Sequence, residues 1–228
     1  MHCPNIAAAG LAALIAAGLL PSGAARADEW QLKIEDAQAD IRVYYRTHES
    51  GFTEFRAVTH VRSRLSGLVA LFRDVDTMPE WVYRNRKAAT LTRISDTEVY
   101  AYTVSEMQWP LKDRDAVVHT TLSQDPETLA VTIRGRGVPG HIPENEAYVR
   151  MRAVESFWRF TPSGSGMVEV VFQGHGDPGG NLSSGLLQWV TRLVLWEAPF
   201  YTLLGLQKVV FRDAYQAGSF DFIREPAP

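Results

Sequence analysis

The most highly charged short segment of the sequence is Lys112-Asp113-Arg114-Asp115. At the start of a strand, alternation would place Asp113 and Asp115 on one side and Arg114 on the other. The two carboxylates could act as a general acid and base only if they lay close to each other and to a substrate. We favour a structural role, in which Arg114 and Asp115 make charge-assisted hydrogen bonds that fix the turn before a strand. Trp109 and Pro110 would shape the same bend.

Other residue types that commonly carry chemistry are scattered along the chain. The histidines show no H-x-x-x-H spacing, and the single cysteine lies near the N-terminus, so the pattern of a zinc site is missing. We therefore predict no metal and no cofactor. If the protein is an enzyme, its reaction would need a titratable group inside a binding tunnel, and the candidates are Glu106, Asp113, His119 and His175.

Residues 135–140 read G-R-G-V-P-G and match the nucleotide-binding pattern G-x-G-x-x-G. A dinucleotide site needs a helix directly after the motif, because the helix N-terminus holds the pyrophosphate. Here His141-Ile142-Pro143 and a predicted strand follow, so we reject nucleotide binding. We interpret residues 137–146 as a flexible loop over the mouth of a cavity, and a plain surface loop is the alternative. The apolar contacts of such a lid would be Val138, Pro139 and Ile142.

The N-terminal 27 residues have the pattern of a signal peptide. An apolar run from Ile6 to Leu20 precedes Ala25-Arg26-Ala27, which has the A-x-A form of a cleavage site. We therefore expect export to the periplasm or the exterior, with cleavage after Ala27. A retained membrane anchor is the alternative.

Residues 28–228 suit a single domain. They contain no cysteine, and their 22 Lys and Arg residues face 26 Asp and Glu residues. This acidic balance argues against nucleic acid as a partner and against simple electrostatic docking on anionic lipid.

Alternating apolar residues predict an antiparallel sheet with one buried face. The first three strands are expected over residues 30–34, 41–45 and 55–61, with a turn at Glu49-Ser50-Gly51. Seven further strands are expected over 88–94, 98–107, 116–122, 128–135, 148–154, 156–160 and 167–175. The fold class is therefore α+β, with a helical insertion after the third strand.

The helices have their own signals. Ser63 is expected to cap the first helix, and Thr77-Met78-Pro79-Glu80 has the form of a capping box. The segment from Leu182 to Phe211 is apolar on nearly all sides, which predicts a long buried helix. Pro199 should kink or break that helix, because proline lacks the backbone donor that an inner helical position needs. The helix either fills the core or also closes a cavity.

Five motifs, in order, resemble the START family, the steroidogenic-acute-regulatory-protein-related lipid-transfer domains. The most specific is Trp109 to Asp115, which is similar to the family signature W-P-x-x-x-R-D. The others are Asp74 to Trp81, Tyr148-Val149-Arg150 before Trp158, Asp177-Pro178-Gly179-Gly180, and Ala198-Pro199-Phe200. Together they cover the chain from about Trp30 to Asp213.

The resemblance implies a helix-grip fold, in which a curved sheet surrounds the C-terminal helix and an apolar tunnel lies between them. Strand parity then gives the tunnel wall. Arg150 and Arg152 are interpreted as solvated or paired surface charges, with contact between one of them and a ligand head group as the alternative. The positions that match the head-group cage of the family's choline-lipid carriers read Met78, Ala101, Ala116 and Val154, which favours a less polar ligand. The predicted ligand-binding residues are Ala101, Thr103, Ala116, Val118, Thr120, Val154, Trp189, Leu193, Trp196 and Phe200. The predicted structural residues are Trp109, Arg114, Asp115 and Asp177.

The function predicted from these observations is non-catalytic binding and transport of one lipid, sterol-like or fatty acyl molecule. The carrier would be a monomer that meets membranes only transiently. An enzyme like the polyketide cyclases and dehydratases, using the same tunnel, is the alternative, because fold does not fix function. A module that senses lipid occupancy is a third.

Overall fold

The computed structural model describes residues 29–47, 53–177, 179–180 and 193–227, with only the backbone of residues 193 and 194. The predicted signal peptide, the turn at Glu49-Ser50-Gly51 and Trp189 lie outside the described residues. So does the first part of the predicted C-terminal helix.

Ten strands form one sheet, which is antiparallel except where β8 runs parallel to β6. The sheet order is β1-β2-β3-β10-β9-β7-β6-β5-β4. The strands are β1 Gln31–Asp36, β2 Ile41–Thr47, β3 Thr53–Arg62, β4 Asn85–Ser95, β5 Glu98–Ser105, β6 Arg114–Gln124, β7 Val131–Gly137, β8 Val149–Arg150, β9 Ala153–Gly164 and β10 Met167–Asp177.

Side-chain alternation accounts for these strands. In β2, Ile41 and Val43 are fully buried while Arg42 between them is exposed, as expected for a strand with one face on the core. The predicted strand at 148–154 is the exception. Only Val149 and Arg150 pair there, with Arg114 and Asp115 of β6, and the chain then enters the long strand β9.

Two helices follow β3: α1 at Leu65–Arg73 and α2 at Met78–Trp81. Neither predicted cap is present. The N-cap residue of α1 makes no capping hydrogen bond through its own side chain. Instead, the carboxylate of Glu225 accepts hydrogen bonds from the backbone nitrogens of Leu65 and Ser66, at 3.0 and 2.8 Å. This carboxylate satisfies two free donors at the helix N-terminus. The hydroxyl of Thr77 donates to the carbonyl of Asp74 rather than capping α2.

The C-terminal helix changes form near its proline. A π-helical turn at Leu193–Glu197 leads into α3 at Ala198–Val209, which places Pro199 in the first turn of α3. Proline is tolerated there because the first-turn nitrogens need no helical acceptor. A last short helix, α4, spans Asp213–Gln216.

The main core joins α1, α3 and the β2–β3–β10–β9–β7 part of the sheet. The buried stripe of α3 has helical spacing and consists of Pro199, Thr202, Leu203, Leu206 and Val209. Among the described residues, no helix is long and apolar enough to cross a bilayer.

Gly205 allows α3 to pack directly on α2. A Cβ atom at this position would lie 2.2 Å from the carbonyl oxygen of Trp81. That oxygen belongs to the backbone of α2, so it can move away only if one of the two helices shifts. We therefore expect Gly205→Ala to destabilise the protein by about 1–3 kcal/mol, although alanine is the better helix former by about 1 kcal/mol. Urea denaturation measures this. Gly140→Ala is the control, since no atom lies within 4 Å of its Cβ position; equal stability of the two variants would contradict the prediction.

Candidate functional site

A cavity of about 340 Å³ lies between the sheet and the helical segments, close to the lower end of the size range of small-molecule sites. We call the side of the sheet that lines it the cavity face, and the opposite side the outer face. Most lining side chains are apolar: Phe55, Phe72, Val75, Met78, Trp81, Val82, Val99, Ala101, Ala116, Val118, Leu122, Ile133, Met151, Val154, Trp158, Phe172 and Ala198.

Six residues predicted from strand parity and from the family resemblance line this cavity. They are Ala101, Thr103, Ala116, Val118, Thr120 and Val154. The register explains their grouping, because Ala101 pairs with Val118 and Thr103 with Ala116 across β5 and β6. Their short side chains leave empty space where larger residues would fill the core. That they contact a ligand stays a prediction.

An aromatic wall that the sequence analysis missed forms another side of the cavity. The rings of Trp158 and Phe172 stack with their centroids 3.8 Å apart and an angle of 9°. Phe55 and Phe72 meet this pair edge to face, each with centroids 4.8 Å apart. Register brings Trp158 and Phe172 side by side on β9 and β10, and only that pairing, which is not local in sequence, could have revealed the wall.

The described part of the C-terminal helix contributes small residues to the cavity. Ala198 and Thr202 line the cavity, one turn apart on α3. Trp196 instead packs under Lys33 of β1, whose Nζ lies 4.1 Å from the ring centroid, and Phe200 packs against the main core. Since residues two apart on an α-helix point about 200° apart, a helix that turns Ala198 and Thr202 to the cavity turns Phe200 away. Trp196 and Phe200 therefore do not line the cavity that the described residues form, and their contact with a ligand stays a prediction. The side chains of Trp189 and Leu193 lie outside the described residues.

The predicted lid loop lies on the outer face of the sheet. The amide of Val138 donates to the carbonyl of Val117, and the ring of His141 stacks on Tyr100 with centroids 4.2 Å apart. Tyr100 has the opposite parity to the cavity residue Ala101. Val138, Pro139 and Ile142 accordingly do not line the cavity, which corrects the interpretation of this loop as a cover over the cavity mouth.

Asp115 and Arg150 form a buried ion pair that holds this loop. The Nε and Nη2 atoms of Arg150 donate to the two carboxylate oxygens of Asp115 at 3.0 and 2.9 Å. Nη1 donates to the carbonyls of Pro139 and Ile142, at 2.5 and 3.2 Å. The hydrogen bond with Asp115 raises the pKa of Arg150. Arg150 is thus a buried structural residue and not a surface charge, because β8 brings it beside β6.

The other predicted structural residues have separate roles. Arg114 is buried, which lowers its pKa, and it donates to the carbonyl of Lys112 at 2.5 Å. The partner of Asp115 is therefore Arg150 and not its sequence neighbour. Trp109 is 89% exposed, and its predicted role in shaping the bend with Pro110 stays a prediction. Asp177 accepts a hydrogen bond from the amide of Gly179 at 2.8 Å, and Gly179 has the positive φ of 67° that glycine adopts readily.

Tyr102 completes the Asp115 cluster, because its hydroxyl donates to Oδ2 of that residue at 3.1 Å. Burial, followed by the charge of Asp115, raises the pKa of Tyr102 from 10.0 to about 12. Below pH 10 the phenol is neutral in both the folded and the unfolded protein. Between pH 10 and 12 it ionises first in the unfolded chain, so the stability of the folded protein falls as the pH rises.

Between pH 9 and 11.5, we expect the free energy of unfolding of the wild-type protein to fall by up to about 2 kcal/mol more than that of the Tyr102→Phe variant. The reason is that each pKa unit corresponds to about 1.4 kcal/mol. Urea denaturation at both pH values measures the difference. Parallel losses in the two proteins would show that Tyr102 does not titrate differently on folding.

The candidate catalytic groups are dispersed. Among the described residues, Glu106, Asp113 and His119 do not line the cavity. Asp113 accepts hydrogen bonds from Arg86 and from the amide of Met107, both at 2.9 Å. His119 lies on the outer face, 2.7 Å from Oε1 of Glu98, and only His175 borders the cavity. In the described part of the chain, no three His, Cys, Asp or Glu residues are grouped as metal ligands.

Comparison with known protein families and with curated proteins identifies related sequences. The START domain family model matches residues 14–209. The uncharacterized protein PA1579 of Pseudomonas aeruginosa is 28% identical over 188 residues, which cover 82% of this chain and 89% of that protein.

Solved structures are similar over the same region. The STAR-related lipid transfer protein of Xanthomonas axonopodis has 29% identity and a TM-score of 0.72, covering 81% of this chain and 100% of that one. Human STARD10 has 14% identity and a TM-score of 0.65, covering 79% of this chain and 74% of that one, and it supports the fold alone. The sequence motifs, the curved sheet with its C-terminal helix and the apolar cavity, together with the family match, show that this chain belongs to the START domain family and has its helix-grip fold.

Proposed function

We propose that this protein binds a single hydrophobic molecule in the cavity and carries it without changing it chemically. The observation that carries the proposal is the cavity itself, which is enclosed by small side chains of β5 and β6 on one side and by an aromatic wall on another. The similarity to a STAR-related lipid transfer protein at 29% identity supports the same class of ligand.

Binding free energy would come mainly from apolar burial. Each methylene group that leaves water contributes about 0.8 kcal/mol, and the aromatic wall offers a flat apolar contact surface. Among the hydroxyl groups that line the cavity, those of Thr103 and Thr120 belong to the wall of small side chains on β5 and β6. These two would orient the ligand rather than supply most of its affinity.

The absence of chemical change is supported by where the titratable groups lie. A general acid or base must come within hydrogen-bonding distance of the reacting atoms. Of the four candidates from the sequence, only His175 borders the cavity among the described residues, and it also borders a groove on the outer face. A cyclase-like reaction would have to use that residue, its cross-strand neighbour Glu155, which also lines the cavity, or the charged groups at one end of the cavity.

We further propose that the protein is exported after cleavage near Ala27 and acts as a monomer that contacts membranes transiently. The A-x-A pattern before Asp28 supports export. N-terminal sequencing of the protein recovered from a periplasmic extract tests the cleavage, and an intact N-terminus would contradict it.

Native mass spectrometry of the detergent-free protein tests the carrier function. We expect one bound molecule per chain, released intact by organic extraction, or taken up from vesicles that contain phospholipid and sterol. A mass equal to that of the bare chain after both treatments would overturn the proposal. Recovery of a chemically altered lipid after incubation would instead support an enzyme.

A further inference from the structure

Charged side chains enter the wall of the cavity at one end. Arg73 at the end of α1, Arg93 on β4 and Asp96 in the β4–β5 turn all border the cavity there. The register pairs Arg93 with Val99, which in turn pairs with Thr120, and both partners line the cavity. Arg93 therefore lies on the cavity face of the edge strand. We call Arg73, Arg93 and Asp96 the charged end.

The carboxylates beside the charged end are already bound by other side chains, which leaves one guanidinium available. Arg73 binds Asp96 with a distance of 3.0 Å from Nη2 to Oδ1. Arg93 donates to the backbone carbonyl of Arg73 at 3.4 Å and has no carboxylate within ion-pair distance among the described residues. The nearby carboxylate of Glu98 is engaged by His119 at 2.7 Å. Asp96 and Glu98, the two carboxylates that border the cavity there, are thus both bound by other side chains, and the guanidinium of Arg93 keeps most of its donors available.

Arg73 is also held in place from its other side. Its guanidinium lies 5.1 Å from the ring centroid of Phe220 and 5.5 Å from that of Phe222. Cation–π contacts with two rings and an ion pair restrict its rotamers before any ligand arrives. Arg93 remains exposed at the rim, so an ionic group bound here would keep part of its hydration and avoid the full cost of burying a charge.

We propose that the ligand of this protein is an amphiphile with an anionic head group, a carboxylate or a phosphate, which Arg73 and Arg93 bind at the charged end. The inference rests on the proposed carrier function. The fork of donors on each guanidinium matches the oxygen geometry of either anion. The tail extends from Val99 towards Thr103, a path of about 13 Å along the extended strand β5, between the small residues of the sheet and the aromatic wall.

The test uses three probes with the same C16 chain: hexadecanoate, hexadecyl phosphate and hexadecanol. Their affinities for the purified protein are compared by native mass spectrometry in mixtures of equal concentration. We expect at least one anion to bind tenfold or more tightly than the alcohol, and the stronger of the two identifies the head group.

Variants assign that preference to the site. Arg93→Gln should lower anion binding about tenfold and leave hexadecanol binding unchanged, whereas Asp96→Asn should raise anion binding, because it removes the competing carboxylate. Arg159→Gln is the matched control, since Arg159 is exposed on β9 and does not line the cavity. Arg93 makes one long hydrogen bond to protein, so we expect its variant to fold, which circular dichroism checks.

The outcomes separate the two proposals. Equal binding of all three probes, or an anion preference that Arg93→Gln leaves intact, overturns the assigned head-group site while the carrier function stands. If none of the probes binds and the protein also takes up nothing from vesicles, the carrier function itself is overturned.

Discussion

Ala116→Phe is expected to abolish ligand occupancy while the protein stays folded. Ala116 lines the cavity, pairs with Thr103 across β5 and is 5% exposed. A phenyl group placed there would occupy space that is empty in the cavity of about 340 Å³. Occupancy measured by native mass spectrometry should fall at least tenfold, which corresponds to about 1.4 kcal/mol of binding free energy.

The matched control for this variant is Thr121→Phe. Thr121 lies on the same strand, and its exposed side chain points to the outer face of the sheet. The control therefore adds the same ring on the side of the sheet that is away from the cavity. The control should keep the ligand. Overpacking in a filled core costs about 1–3 kcal/mol, and we expect Ala116→Phe to remain below that range. Full occupancy in the Ala116→Phe variant would mean that the ligand does not bind in this cavity.

Asp115→Asn is expected to cause the largest loss of stability, about 3–5 kcal/mol, because breaking a buried ion pair leaves one charge without its partner. Asp115 is fully buried, and the side chain of Arg150 is 3% exposed. The substitution keeps the shape of the side chain but removes its charge, and Arg150 can no longer form a two-point ion pair. Urea denaturation near neutral pH measures the loss.

The control is Glu35→Gln, which removes a salt bridge of the same length at the surface. Arg42 and Glu35 lie 2.9 Å apart with side chains 46% and 50% exposed, and such pairs contribute about 0–1 kcal/mol. Amide exchange at Val138 should also become faster in Asp115→Asn, because Arg150 holds that loop through the carbonyls of Pro139, Ile142 and Pro143. Similar stability losses in the two variants would contradict a central role for the buried pair.

The strands and the small residues of the cavity wall could be predicted from the sequence. Side chains alternate with a period of two along any strand, so Ala101, Thr103, Ala116, Val118 and Thr120 could be assigned to one face before their partners were known. The family could be recognised because its motifs are short and local. The fold class followed from both.

Tertiary structure alone decided which distant residues meet. Asp115 pairs with Arg150 rather than with Arg114, because the two-residue strand β8 runs parallel to β6. Arg150 also binds carbonyl groups of the loop at 137–146 and holds this loop on the outer face. The glycine- and proline-rich segment that suggested a lid is therefore held away from the cavity.

Neither the face that α3 turns to the cavity nor the formation of the charged end could be predicted from the sequence. Apolar residues surround the C-terminal helix on nearly all sides, so periodicity did not determine that Ala198 and Thr202, rather than Trp196 and Phe200, would face the cavity. Arg73 and Arg93 come together only because the register places β4 beside β5 near the end of α1. Alternation is a local property of the backbone, whereas register, helix phase and ion pairing depend on contacts between residues far apart in the chain.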